Sequence, residues 1–190
     1  MIFLTSDLHI GHLNIIKYCR KDFEFSQAGR LQCDNLILKN YNNLVSDKDI
    51  VIILGDAYFS DLEYATDYFA KLHGIRFLIK GNHDQRSNRF YISNLGFKAC
   101  FDFIAFEDLF FCHYPLDEID SKKESYLRQE FEKGNFRTIY HGHIHDKDPV
   151  KRNGINRINV SVDYKPNNYS PLKLDRPDFE DYLRKQFLTP

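Results

Sequence analysis

Residues 75–84 read Ile75-Arg76-Phe77-Leu78-Ile79-Lys80-Gly81-Asn82-His83-Asp84, a short apolar run that ends abruptly in glycine, an amide, an imidazole and a carboxylate. Such a run is a strand buried on both faces, and a glycine directly after it lets the chain turn and carries polar side chains past the strand's carboxyl end. The same grammar recurs along the chain. Ile2–Thr5 is followed by Asp7-Leu8-His9, Ile50–Leu54 by Gly55-Asp56, Leu109–Cys112 by His113, and Thr138–Tyr140 by His141-Gly142-His143-Ile144-His145. Ligands of α/β sheets gather in the crevice beyond strand carboxyl ends, so residues at five such ends can converge on one point. Imidazole and carboxylate donors are the set that binds zinc, iron or manganese, and one carboxylate can bridge a pair of ions.

Between these strands the sequence turns amphipathic. Asp34 can cap a helix through Leu36, Ile37, Tyr41, Leu44 and Val45, and a second helix is expected from Asp61 to Leu72, ended by Gly74. Residues 99–106 read as one antiparallel strand, and Ile155–Val162 alternates in part, so the sheets are expected to be mixed and the class α/β. The 190 residues suit a single domain, 1–190. Residues 117–135 are dense in Lys, Glu, Asp and Arg, with a short helix expected through Tyr126, Leu127 and Phe131. A solvated surface helix is one reading; the position between two of the motifs also allows a lid inserted over the site.

Charge narrows the partners. With 26 Lys+Arg against 27 Asp+Glu the net charge is -1, which gives no field to draw the protein onto long nucleic acid or anionic membrane. Four scattered cysteines without a Cys-x-x-Cys pair fit a reducing compartment, and no stretch approaches a membrane span. A cytoplasmic location is expected. Lys151, Arg152 and Arg157 form a small basic cluster that reads as a solvated face, and the aromatic residues, 15% of the chain, read as core.

The ordered set Asp7-x-His9, Gly55-Asp56, Gly81-Asn82-His83-Asp84, His113 and Gly142-His143-x-His145 resembles the calcineurin-like metallophosphoesterase superfamily. The opening, Thr5 through Ile16, and the tail Asn159-Val160-Ser161-Val162-Asp163 are similar to a narrower group of small bacterial and phage phosphoesterases. The resemblance implies two mixed β-sheets packed as a sandwich with flanking helices, in four layers. It implies two divalent ions, with manganese expected and iron, zinc or nickel as alternatives. One would be held by Asp7, His9, Asp56 and His145, the other by Asp56, Asn82, His113 and His143. His83 would face the leaving group, with Asp84 accepting from its ring.

The implied reaction is hydrolysis of a small phosphate ester or nucleotide-like phosphodiester by a hydroxide held between the ions. His12, Lys80 and Arg86 are candidate substrate contacts, His12 having the alternative of a helix-start histidine packed locally and Lys80 that of an exposed strand end. His141 is either a donor behind a metal ligand or a buried strand residue. A protein phosphatase, a short-oligonucleotide nuclease and a non-catalytic metal scaffold are the competing readings. Lys80 stands where the protein phosphatases have arginine, and a scaffold would have no use for His83.

Overall fold

The computed structural model describes residues 1–116, 121–150 and 154–188. Strands β1 (Ile2–Thr5), β2 (Ile50–Ile53), β3 (Ile75–Ile79) and β4 (Ala99–Phe101) pair in parallel. A second sheet holds β5 (Phe103–Phe106), β6 (Leu109–Cys112), β7 (Thr138–His141) and β8 (Asn156–Asn159) in that spatial order. Its β5–β6 pair is antiparallel and its other two pairs are parallel. Finally β9 (Leu172–Leu174) closes the first sheet antiparallel to β1, giving the order β4-β3-β2-β1-β9.

The side-chain alternation of the strands sorts the core into three apolar layers. Ile2, Leu4, Ile50, Ile52, Phe77 and Ile79 face inward and meet Leu109, Phe111 and Tyr140 of the second sheet. Phe3, Val51, Ile53 and Leu78 point the other way. They are covered by helices α1 (Leu13–Tyr18), α2 (Gln27–Leu44), α3 (Leu62–Phe69) and α4 (Asn88–Leu95). Outside the second sheet, Phe110, Cys112 and Ile139 pack on Leu127 and Phe131 of α5 (Lys122–Glu132). Helix α6 (Pro177–Phe187) sends Phe179 and Leu183 into the layer between the sheets. The fold is thus α/β, two mixed sheets as a sandwich with helices on both outer faces.

Three local readings change. Residues 99–106 form two strands in different sheets, because the chain leaves the first sheet after Phe101 and enters the second at Phe103. Helix α2 begins well before Asp34: Ser26 is its N-cap and accepts from the Gly29 N–H. Asp34 instead lies buried inside the helix, where its carboxylate receives the Gly11 N–H, the Arg30 guanidinium and the Tyr64 hydroxyl. The charged segment's helix runs from Lys122 to Glu132 and forms the outer cover of the second sheet, with Leu127 fully buried. Residues 117–120 of that segment, and Lys151 and Arg152 of the basic cluster, lie outside the described residues. Among the described residues no helix is long and apolar enough to cross a membrane.

Phe111 is the centre of the layer between the sheets, stacked at 5.1 Å on Tyr140 and at 5.0 Å on Phe179. Phe111→Ala is expected to cost about 3–5 kcal/mol through lost burial and the cavity left behind, read as a lower urea midpoint at unchanged slope.

Candidate metal centre

The ends of β1, β2, β3, β6 and β7 meet at one edge of the sandwich, and the backbone there is forced into an unusual state. Asp7, His9, Asp56, His143 and His145 all have positive φ, between 44° and 70°. Non-glycine residues visit this region sparingly and at a cost of about 1–3 kcal/mol each, so their clustering marks a place the surrounding structure over-determines. The restraints are visible. The Asp7 N–H donates to the Gly55 carbonyl, the His9 N–H to that of Asp56, and the Gly142 N–H to that of His113. Close approach also explains two glycines: a Cβ on Gly81 would collide with Asp56 Oδ1, and one on Gly142 with Ser6 Oγ and Asp7 Oδ2.

These turns gather the donors. Ligand atoms of Asp7, His9 and His145 lie within 4.8 Å of one another, as do those of Asp7, Asp56 and His113. Asp56 sits between the groups, its Oδ2 at 3.5 Å from both His9 Nε2 and His113 Nε2. Asn82 Oδ1 is 3.0 Å from His113 Nε2. The His143 ring packs 5.0 Å from the His113 ring, and the His143 backbone N–H donates to both oxygens of Asp7.

The electrostatics are those of a desolvated cluster. Burial drives the His9 pKa down to about 3, and burial followed by the His113 charge takes His143 to about 4. Burial alone would also lower His113, but the Asp56 carboxylate beside it holds it up at about 9. Burial raises Asp7. Against the same burial, His113 and His9 hold Asp56 well below the usual carboxylate range.

The residues fit a metal on a specific ground. His9 is 3% exposed, yet among the described residues neither ring nitrogen finds a hydrogen-bond partner. A buried imidazole without partners is costly unless it takes a ligand, and carboxylates and further imidazoles surround it.

A supporting set behind this cluster is not legible as a motif. Asp163 Oδ2 accepts from His145 Nδ1 at 2.7 Å, and Asp163 Oδ1 accepts from Arg20 Nε at 2.7 Å. Arg20, wholly buried, also donates to the carbonyls of Asp7 and Leu8. His113 Nδ1 is fixed by the Leu54 carbonyl at 2.7 Å. Both rings are thus held through Nδ1 and turn Nε2 toward the centre, the usual way a ligand imidazole is oriented. Burial opposes a charge on His145, but the Asp163 bond together with Cys19 and the Asp7 carboxylate outweighs it and raises the pKa to about 11. Asp163 belongs to the quoted tail; Arg20 follows α1 with nothing in its neighbours to single it out.

The other candidates fall variously. His83 projects at the rim, its side chain 40% exposed and its Nε2 4.0 Å from Asp56 Oδ2. The expected bond from its ring to Asp84 gives way to a backbone role: the Asp84 carboxylate receives the N–H groups of Asp56, Ala57 and Gly81, clamping two loops together. Lys80 also differs from a free phosphate contact, since its ammonium donates to the Arg86 carbonyl. Arg86 is exposed and lies over the Phe90 ring. His12 precedes α1 and stacks on Phe59 at 4.2 Å. His141 is buried, with Nδ1 against the Gly142 carbonyl.

Asp163→Asn should lower metal affinity roughly 10- to 100-fold by releasing the His145 ring. It should also cost about 3–5 kcal/mol of stability by leaving Arg20 buried without a counter-charge. Chelator competition and urea unfolding check the two effects separately.

Comparison with known proteins places this geometry. The chain is 33% identical over 181 residues to the uncharacterized protein MJ1445 of Methanocaldococcus jannaschii, covering 92% of this chain and 87% of that protein. The crystal structure of the protein of unknown function AQ665 from Aquifex aeolicus shares the fold, with a TM-score of 0.69 at 24% identity over 96% of this chain and 98% of that one. The model of the calcineurin-like phosphoesterase family matches residues 1–147, a span that contains all five strand-end motifs. The chain belongs to the calcineurin-like phosphoesterase family.

Proposed function

We propose that this protein is a phosphoesterase dependent on two divalent ions, manganese first, that hydrolyses a small phosphate ester or a nucleotide-like phosphodiester. The observation that carries the reading is the buried His9 ring facing Asp56, without a hydrogen-bond partner among the described residues, inside a group of candidate ligands of which Asp7, His9, Asp56, His143 and His145 are held in the left-handed region. Asp7, His9, Asp56 and His145 would hold one ion, and Asp56, Asn82, His113 and His143 the other. Bound there, the ions supply Lewis acidity toward the phosphoryl oxygens and a water acidic enough to serve as nucleophile near neutral pH.

The chain's own residues do the rest. Asp163 and the Leu54 carbonyl aim the Nε2 atoms of His145 and His113 inward. The Asp84 clamp holds the Asp56 and Gly81 loops at fixed separation. His83 is exposed enough to meet a substrate and close enough to the carboxylates to meet its ester oxygen. A proton held on His83 Nε2 passes to the departing alcohol, the step that a metal scaffold would not need.

Elemental analysis of the reconstituted protein should give two ions per chain, with activity lost on chelation and restored by manganese. Asp56→Asn should lose both ions together, because it stands between the two donor groups; one ion or none in active wild-type protein would end the reading. His83→Asn should keep its metals yet lose roughly 100- to 10,000-fold of its activity on esters with an alkyl or nucleoside leaving group. Hydrolysis of a p-nitrophenyl ester, whose leaving group departs without a proton, should fall much less. Equal losses on both substrates would assign His83 to phosphate binding.

A further inference from the structure

Beside the metal centre lies a cleft of about 570 Å³, lined by Tyr58, Phe59, His83, Arg86 and Tyr91 among others. His83 forms its inner wall, so whatever oxygen His83 protonates carries its alcohol into this space. Phe59 is 49% exposed, in a segment whose neighbours Asp56 and Ala57 are buried. One side of its ring is backed by His12 at 4.2 Å and 27°, and the His83 ring meets it nearly at right angles at 5.3 Å. The ring is thereby fixed in place while much of it stays open to the cleft. Arg86 supplies a cation beside the Tyr58 hydroxyl on the same lining.

A held aromatic ring and a guanidinium on the lining of one cleft are groups that accept flat heteroaromatic rings, through stacking and cation–π contact. A simple alkyl alcohol would make no use of either, and a sugar alone would leave the π face less fully used than a base does. We propose that this cleft is the leaving-group site and that it takes a nucleoside, with the base stacked on Phe59 and the sugar oxygen at His83. The proposal rests on the phosphoesterase reading and narrows its substrate to nucleoside phosphoesters.

The test uses the phosphonate isosteres of AMP and of ribose 5-phosphate, in which a P–C bond replaces the hydrolysable ester. Isothermal titration into manganese-loaded protein should show the AMP isostere binding roughly 5- to 150-fold more tightly, the worth of one base on one ring. Phe59→Ala should collapse that ratio toward one by weakening the AMP isostere alone. Phe59→Leu, which keeps the apolar bulk against His12 and removes only the π face, should do the same, and Phe59→Trp should preserve the ratio. A ratio near one in the wild type, or a ratio that survives Phe59→Ala and Phe59→Leu, overturns the proposal. Hydrolysis of bis-p-nitrophenyl phosphate by the same preparation separates the two readings. Hydrolysis with a ratio of one removes the nucleoside site and leaves the phosphoesterase. A Phe59-dependent ratio with no ester hydrolysed at two ions per chain removes the phosphoesterase, and with it the assignment of the cleft to a leaving group.

Discussion

Two carboxylates, Asp7 and Asp56, sit beside each other almost wholly out of water, 0% and 2% exposed. Burying like charges together is costly, and the architecture around them is organised to offset it. Backbone N–H groups point at them: His143 donates to both oxygens of Asp7, and His83 donates to Asp56 Oδ1. The Arg20 guanidinium, itself buried, touches the Asp7 carbonyl and holds Asp163 behind His145. With five histidines around them, the carboxylates form a site that could hold a metal ion.

Holding that cluster demands backbone that most sequences avoid. Each left-handed turn at Asp7, His9, Asp56, His143 and His145 swings a side chain inward within two to four residues of a strand's end, which an extended exit would not achieve. The strands supply the anchorage. Each of them is largely apolar and buried, and unable to slide without exposing a row of side chains. Strain at the mouth is thus set against burial in the layers beneath it.

The sequence was most legible where chemistry and periodicity coincide. Apolar runs followed by glycine and polar residues located the strands and the polar residues that cluster at their ends, because a strand's end is where hydrophobic patterning stops. It was least legible where a residue's task depends on what the fold brings opposite it. Nothing near Arg20 marks it as the counter-charge of Asp163, 143 positions away. Asp34 reads as a helix cap by type, yet it is an interior acceptor because Tyr64 and Gly11 arrive from other segments. Residues 99–106 look like one strand, since periodicity cannot reveal that the chain changes sheets at Asp102. Phe59 reads as core by composition, and only the placement of His12 and His83 shows its ring held at the rim.

The division of donors between layers has a mechanical meaning. Asp7, His9, Asp56 and Asn82 follow strands of the first sheet, whereas His113, His143 and His145 follow strands of the second. Their separation therefore depends on how the two sheets pack against each other, roughly 10 Å apart where facing sheets interdigitate, as well as on the bonds that cross between them from the His143 N–H to Asp7 and from His113 Nδ1 to the Leu54 carbonyl. Phe111, Tyr140 and Phe179 act as a shim that gauges this spacing from within the core. Helix α6, remote in sequence from every donor, supplies one leaf of that shim and so takes part in calibrating the centre.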